Sequence, residues 1–254
     1  MHGMNQAPEL SLANVDKLKQ FWRYCAETVT QSGIENLWNI SFRGKGDKPF
    51  WADFPDAPAD EKARGEVINK MLNIQMDIIR ELSKEQEPYV RITFYDEMAD
   101  LLAKGHVVPP AGENMIWTYV AGRRDHYPYD DIQQFDSSRK VKLGYYMNFQ
   151  FTSTGAHLAP AEGPWKMEFN YRYVNSKSPL HFSVINAGNL REFLFEMSAN
   201  AKMLWDFDSY SSDDFAREYA AKYFGDEYAS DIASIYKDFF YAYQTLRTIR
   251  KELL

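Results

Sequence analysis

Apolar residues recur along the chain in two patterns that alternate. Spacings of three and four residues, which predict amphipathic helices, cover residues 14–31 and 61–83. Short runs of β-branched and aromatic residues lie between and after these stretches. From such runs we predict strands at residues 37–42, 89–94, 115–120, 143–151 and 181–185. Strands that alternate with helices predict a mainly parallel sheet of the α/β class.

The carboxyl-terminal part of the chain has a different pattern. Ser211 to Asp214 form a helix-capping signal, and helical spacing of apolar residues then continues to Leu254. We predict a helical hairpin, or the start of a helical domain, over residues 206–254, and a β/α region over residues 1–205. The predicted fold is a partial or complete (β/α) TIM-barrel-like domain with a C-terminal helical extension.

The number of predicted strands limits this fold, because five strands cannot close an eight-stranded barrel. Either the early barrel strands are absent from this chain, or the sheet is open and is covered by another chain or by the C-terminal helices. We therefore expect the chain to form a homo-oligomer or to associate with another chain.

Charge and composition exclude several classes of protein. The net charge of -7 argues against a nucleic-acid partner, since phosphates require a concentrated basic surface. The single Cys25 cannot form an internal disulfide. Residues 1–20 lack the apolar stretch of a signal peptide, and no segment is long and apolar enough to cross a membrane. The sequence predicts a soluble chain with no membrane partner, and its localisation is unknown.

Candidate functional residues follow the first two predicted strands. Arg43 and Asp47 come directly after the first strand, in a loop that Gly44 and Gly46 allow to turn tightly. Glu97 follows the second strand. The carboxyl ends of parallel strands carry the chemistry of (β/α) barrels. The sequence therefore predicts a charged site at this edge of the sheet.

The same residues also have structural interpretations. Asp47 is then a loop carboxylate paired with Arg43, and Glu97 is a first-turn glutamate that stabilises a short helix over residues 97–104. We expect Asp96 to cap that helix. No set of His, Cys, Asp or Glu residues has metal-ligand spacing, so we expect neither a metal nor a cofactor.

A resemblance to a known family is carried by segments that keep their order along the chain. They are residues 39–53, 63–68, 93–98, 116–117, 123–124, 144–146, 184–186 and 223–225. In these segments the chain resembles glycoside hydrolase family 115, the α-glucuronidases that remove glucuronic acid, often 4-O-methylated, from xylan side branches. It is similar to the later part of the family's catalytic barrel and the start of its helical domain.

The resemblance implies an inverting hydrolase that uses two carboxylates and no cofactor. It implies that Asp47 and Glu97 are the catalytic pair. We favour Glu97 as general acid and Asp47 as general base or substrate ligand. The substrate would be a polysaccharide or oligosaccharide decorated with glucuronic acid. The residues implied to bind it are Arg43, Arg123, Arg124, Tyr146 and Asn186.

The chain departs from the family pattern at two places, and we expect the amino-terminal portion that would complete the cleft to be absent from it as well. An Asp-Asn-Gly-Tyr-Gly segment usually precedes the paired arginines, whereas this chain runs from Thr118 through Gly122 directly into Arg123. Met147 stands where the family has a histidine, and methionine cannot donate a hydrogen bond to a sugar. The alternative interpretation is a catalytically inactive or truncated relative that binds acidic carbohydrate or assembles with another chain. Family members are often exported, although no signal peptide is predicted here.

Overall fold

The computed structural model describes residues 9–83, 87–120, 130–149, 162–188 and 190–252. In these ranges the protein has an α/β architecture. The strands are β1 (Trp38–Ile40), β2 (Val90–Phe94), β3 (Met115–Val120), β4 (Lys142–Asn148) and β5 (Leu180–Asn186). The helices are α1 (Val15–Ser32), α2 (Glu61–Leu82), α3 (Glu97–Ala103), α4 (Asp130–Gln133), α5 (Pro164–Lys177), α6 (Leu194–Trp205), α7 (Ser212–Phe224) and α8 (Ala229–Glu252).

The strands form one five-stranded sheet in chain order, from β1 to β5. β1 pairs with β2 in parallel, with Trp38 opposite Val90, and β2 pairs with β3 in parallel, with Val90 opposite Met115. Alternate residues of β2 are buried, and every residue of β3 is buried. Parallel strands buried on both faces consist of nearly continuous apolar runs, which explains why β3 was predictable. The alternating burial of β2 is the other pattern that predicts a strand.

At the β1 end of the sheet, a glutamine side chain takes the place of a neighbouring strand. The Gln75 amide accepts a hydrogen bond from the Ser41 N–H (3.2 Å) and donates one to the Ser41 carbonyl (2.9 Å). Backbone groups alternate in direction along a strand, so those of Asn39 and Ser41 point away from β2. Gln75 therefore satisfies the outward backbone groups of Ser41.

The first helices start and stop at residues that the sequence marks. α1 ends at Gly33, whose φ of 68° is the left-handed conformation common at helix ends. α2 begins after Asp60, whose carboxylate accepts a hydrogen bond from the Ala63 N–H. The buried face of α2 includes Ile68 and Leu72, neither of which is exposed at all.

The later helices carry the remaining core. α5 begins with Pro164 at its first position, where a missing N–H costs nothing. α7 begins after Ser211, whose hydroxyl accepts a hydrogen bond from the Asp214 N–H, as the capping signal predicts. Phe195 on α6 packs against Phe215 on α7, with ring centroids 5.2 Å apart.

The chain divides into two compact units. One comprises residues 1–119 and 130–144, and the other comprises residues 120–129 and 145–254. The predicted boundary between residues 205 and 206 lies between α6 and α7 and stays a prediction. The α/β class is confirmed. Within the described ranges, none of the helices combines the length and apolar character needed to span a bilayer.

Candidate functional site

The first unit brings Arg43 and Glu97 together, although they lie 54 positions apart in the chain. Arg43 Nε donates to Glu97 Oε1 at 2.7 Å, and Arg43 Nη2 donates to Glu97 Oε2 at 2.8 Å. This two-bond geometry matches the planar guanidinium to the planar carboxylate. The Arg43 side chain is 14% exposed and that of Glu97 is 9% exposed, so the pair is largely shielded from water.

The other edge of the same guanidinium faces Asp47. Arg43 Nη1 donates to Asp47 Oδ1, and Arg43 Nη2 reaches the Asp47 carbonyl oxygen at 3.2 Å. The Tyr95 ring lies on one face of the guanidinium, 5.1 Å from the guanidinium carbon. Burial opposes the charge of Arg43, but the hydrogen bonds and charges of Glu97 and Asp47 raise its pKa above the ordinary value. Arg43 thus links the two predicted catalytic carboxylates.

The loop that carries Asp47 requires glycine at its second position. The Gly44 N–H donates to the Lys48 carbonyl at 2.8 Å. A Cβ atom at Gly44 would lie 2.8 Å from the Pro49 carbonyl oxygen and still closer to the Asp53 carboxylate. That carboxylate also accepts a hydrogen bond from the Lys45 N–H. The tight turn therefore fixes the backbone path between Arg43 and Asp47.

An aromatic cluster anchors the far end of this loop. The Phe50 ring is 1% exposed and lies 5.0 Å from the Phe42 ring and 5.7 Å from the Phe54 ring, measured between centroids. Phe42 precedes Arg43 directly, so both ends of the loop are tied to one buried cluster. Burial of large rings dominates local packing energy. Asp47, at 66% side-chain exposure, lies in the part of the loop outside this anchor.

Glu97 is the first residue of α3, directly after a sharp turn that leaves β2. Asp96 has φ 52° and ψ -111°, an unusual conformation for a residue with a side chain. Met98 and Leu101 on α3 are 2% and 3% exposed, so the helix is held against the core. The side chain of Asp96 makes no capping hydrogen bond, which corrects the expectation that it caps α3.

Two non-glycine residues with positive φ lie at this site. They are Asp47, with φ 62°, and Asp96, with φ 52°. Such backbone conformations cost roughly 1–3 kcal/mol and persist where surrounding contacts enforce them, often at functional sites. The strain therefore agrees with a functional assignment of this loop and this turn.

The second unit contains the other described candidates, Asn186 and Tyr146. Asn186 ends β5, and its Nδ2 donates to Asn148 Oδ1 at 2.8 Å. Asn148 ends β4 and is 5% exposed, and Tyr146 on β4 is half-buried. Both asparagines thus lie at carboxyl ends of strands.

The remaining sequence candidates have different outcomes. Arg123 and Arg124 lie outside the described residues. Met147, the departure from the family pattern, is fully buried on β4.

Two residues that contact predicted site residues, Tyr95 and Asn148, were not among the predicted ones. Tyr95 follows β2 directly, and its signal was an aromatic residue next to a charged pair. Asn148 is a polar residue at the end of the otherwise apolar run from Tyr145 to Phe149. A polar residue that interrupts a buried strand at its carboxyl end is a usable signal, because a buried amide must find partners.

Other polar clusters lie elsewhere in the second unit. A cavity of about 580 Å³ is lined mainly by charged and hydroxyl side chains of α6, α7 and the segment between them, including Lys202, Arg217 and Glu218. None of the predicted site residues lines it. Across the ranges that the structure covers, no group of three or more His, Cys, Asp or Glu side chains is placed to hold a metal ion.

Fold and site together indicate a class of protein. A parallel sheet carries an arginine and two carboxylates just beyond neighbouring strand ends, and most glycoside hydrolases use a pair of Asp or Glu side chains. A family model for glycosyl hydrolase family 115 matches residues 6–252. The chain therefore belongs to glycosyl hydrolase family 115, as the sequence resemblance predicts.

Comparison with solved structures gives a consistent result. One similar structure is described as that of a novel family GH115 4-O-methyl-α-glucuronidase, BtGH115A, with specificity for decorated arabinogalactans. The TM-score is 0.72 at 16% sequence identity, and the match covers 89% of this chain and 29% of that chain. At this identity the likeness establishes the fold. No relative was found among curated protein sequences.

Proposed function

We propose that this chain contributes the two-carboxylate centre of an α-glucuronidase, which removes glucuronic acid or its 4-O-methyl ether from a decorated polysaccharide. The observation that carries the proposal is the binding of Glu97 and Asp47 to two adjacent edges of the Arg43 guanidinium. Both carboxylates are thereby held around one cation that suits an anionic sugar.

We assign Glu97 as the general acid and Asp47 as the general base of an inverting reaction. Arg43 takes two of the roughly four acceptor positions of the Glu97 carboxylate, so positions on its oxygens remain for contact with the leaving oxygen. Asp47 is 66% exposed, so water can reach its oxygens. The different environments of the two carboxylates support different roles.

Further contacts to the sugar are assigned to Arg43, Arg123, Arg124, Tyr146 and Asn186. Asn186 is proposed to contact the sugar because its amide lies at the carboxyl end of β5, where Nδ2 donates to Asn148 Oδ1 at 2.8 Å. The decorated polymer is proposed to be xylan-like. The similar structure's stated specificity for decorated arabinogalactans makes that polymer the second substrate to assay.

We also propose that the sheet is part of a (β/α) barrel. The five strands follow one another in the sheet in chain order. Barrels have this order, whereas doubly wound sheets reverse direction at a switch point. The observed order therefore supports the barrel over an open doubly wound sheet.

The decisive measurement is release of glucuronic acid from glucuronoxylan and from glucuronidated arabinogalactan. We expect release by the chain to fall at least about 100-fold in Glu97→Gln and in Asp47→Asn, since each removes a proton-transfer group. The matched controls Glu113→Gln and Asp77→Asn alter exposed carboxylates and should retain full release. A folded wild-type chain that releases no glucuronic acid would contradict the proposal.

An activated substrate separates the two roles. A nitrophenyl α-glucuronide has a leaving group that needs no protonation, so Glu97→Gln should retain much more activity on it than on the polysaccharide. Asp47→Asn should lose activity on both, because water still needs a base. The reverse result would exchange the two assignments. Proton NMR of the first product should show the β-anomer if the reaction inverts configuration.

A further inference from the structure

Both edges of the Arg43 guanidinium are occupied by acceptors of the chain itself. A guanidinium presents its N–H groups along two forked edges, each of which fits one carboxylate. Glu97 takes the edge formed by Nε and Nη2, and Asp47 takes the edge formed by Nη1 and Nη2 through its carboxylate and its carbonyl. A sugar carboxylate can therefore bind Arg43 through two bonds only if one of these residues leaves.

Burial determines which residue leaves. The side chain of Asp47 is 66% exposed, whereas that of Glu97 is 9% exposed. Exposed ion pairs are weak because water screens them. Breaking a buried pair leaves an uncompensated charge in a poorly solvated place. The edge held by Asp47 is consequently the one that an incoming anion can take.

The backbone around Asp47 makes its departure easier. Asp47 has φ 62°, a left-handed conformation that costs energy for residues with a Cβ, although aspartate and asparagine adopt it more readily than most. Gly46, immediately before it, also has positive φ and has open space where a side chain would lie. The contacts with Arg43 hold the strained residue in place, and releasing them frees it to relax. Glu97 and the Tyr95 ring keep Arg43 in position meanwhile.

We propose that the carboxylate of the bound sugar displaces Asp47 from the exposed edge of Arg43, which makes Asp47 a specificity-determining residue for uronic acids. The proposal rests on the proposed function. A neutral hexose has no carboxylate that competes for Arg43, so Oδ1 of Asp47 stays bound to Arg43. A uronate takes the edge, which releases Oδ1 so that it can act as the base.

Binding of free sugars tests this exchange without relying on turnover. Isothermal titration calorimetry with D-glucuronate and D-glucose is run on wild type, Asp47→Asn, Arg43→Lys and the double variant. Asparagine preserves shape and tolerates the left-handed conformation. We expect Asp47→Asn to bind glucuronate about two- to tenfold more tightly, because the competitor for Arg43 is gone. Binding of glucose should not change.

The Arg43→Lys background distinguishes exchange from a general charge effect. Lysine cannot form the two-bond contact, so in the Arg43→Lys background Asp47→Asn should not increase the affinity for glucuronate. If loss of a nearby negative charge were the cause, the affinity would increase equally in both backgrounds. Circular dichroism verifies that each variant is folded, and Asp77→Asn serves as the remote control.

The other outcomes of the titrations distinguish failure of the exchange at Arg43 from failure of the hydrolase assignment. Unchanged or weaker binding by Asp47→Asn, an equal gain in both backgrounds, or no glucuronate binding by any variant overturns the exchange. Release of glucuronic acid from polysaccharide together with any of these results leaves the hydrolase assignment intact. A gain that requires Arg43, without any release by wild type, supports the exchange and contradicts the hydrolase assignment.

Discussion

Glu196 places a carboxyl group in an apolar interior, in the first turn of α6. Its side chain is 2% exposed. Burial raises the pKa of Glu196 to about 7, against a smaller opposing effect of its own backbone N–H. Tyr219 and Tyr236 also have raised pKa values, first because they are buried and secondly because of neighbours that include Glu196. The folded protein therefore holds a proton on Glu196 more tightly than the unfolded chain does.

This residue predicts a pH-dependent stability. The folded-state pKa of about 7 lies above the ordinary value of 4.5. The contribution of Glu196 to the free energy of unfolding is therefore fully present below about pH 4.5, and it is lost as the pH rises through about 7. The loss is at most about 3 kcal/mol. Over roughly pH 5 to pH 8, in which Glu196 titrates, we expect the free energy of unfolding of Glu196→Gln to fall less than that of wild type. Urea denaturation at each pH measures this free energy.

The matched control is Glu192→Gln, which alters an exposed carboxyl just before α6. It should retain the pH dependence of wild type. If Glu196→Gln and wild type lose equal stability over this range, Glu196 does not carry the effect.

At the scale of elements, the sequence predicts the helices and strands whose buried residues are apolar. The strands and α2 were found for this reason. Helix α5 was not identified individually, because it buries Lys166 and Asn170 along with Met167, Tyr171 and Val174. A hydrophobic pattern assigns such polar residues to the solvent-facing side, so the periodicity was concealed. Their burial depends on partners elsewhere in the fold.

The candidate site shows the same limit. Sequence placed Arg43 and Glu97 each beyond the end of a strand, and parallel strands brought those ends to one edge. It left pairing between Arg43 and Asp47 as one alternative. It did not show that one guanidinium would bind Glu97 as well, since that contact depends on side-chain directions set by the Gly44 turn and the Asp96 turn. Asn148 was missed because its partner, Asn186, lies 38 positions away.

Helix α2 predicts an unusual effect of a glycine substitution. A Cβ atom at Gly65 would lie 2.4 Å from the His106 carbonyl oxygen and 2.7 Å from its carbon. Alanine favours a helix over glycine by about 1 kcal/mol, but the clash with backbone costs about 1–3 kcal/mol. We expect Gly65→Ala to lower the free energy of unfolding by about 1 kcal/mol in urea denaturation.

Glu66→Ala is the control on the exposed side of the same helix. It should change the free energy of unfolding by less than about 0.5 kcal/mol. A Gly65→Ala variant more stable than wild type would show that the segment around His106 moves aside at little cost.

At the scale of the whole molecule, apolar side chains are exposed around β1, whose residue Asn39 directs its backbone groups away from β2. Ile34 and Leu37 precede β1 and Tyr89 precedes β2, and the three are 70%, 36% and 46% exposed. Strand edges of this kind pair readily with other chains. This feature gives a physical basis to the expected homo-oligomer or association with another chain.

Light scattering tests that expectation. We expect the purified chain at micromolar concentration to have a mass above that of one chain, and Ile34→Lys to lower it, since a charge on this surface opposes burial. Ile235→Lys replaces an isoleucine of similar exposure on α8 and should leave the mass unchanged. A wild-type monomer would contradict the prediction, and an effect of Ile235→Lys alone would assign the contact to α8.

The Gln75 amide also limits how far any added strand can extend. Because it already satisfies both backbone groups of Ser41, a partner strand beyond β1 can pair with Asn39 but cannot continue past it. Ser41 lies two positions before Arg43. The Gln75 side chain therefore keeps an added strand away from the start of the Arg43 loop. Association with another chain at the sheet edge can then occur without moving the guanidinium away from its two carboxylates.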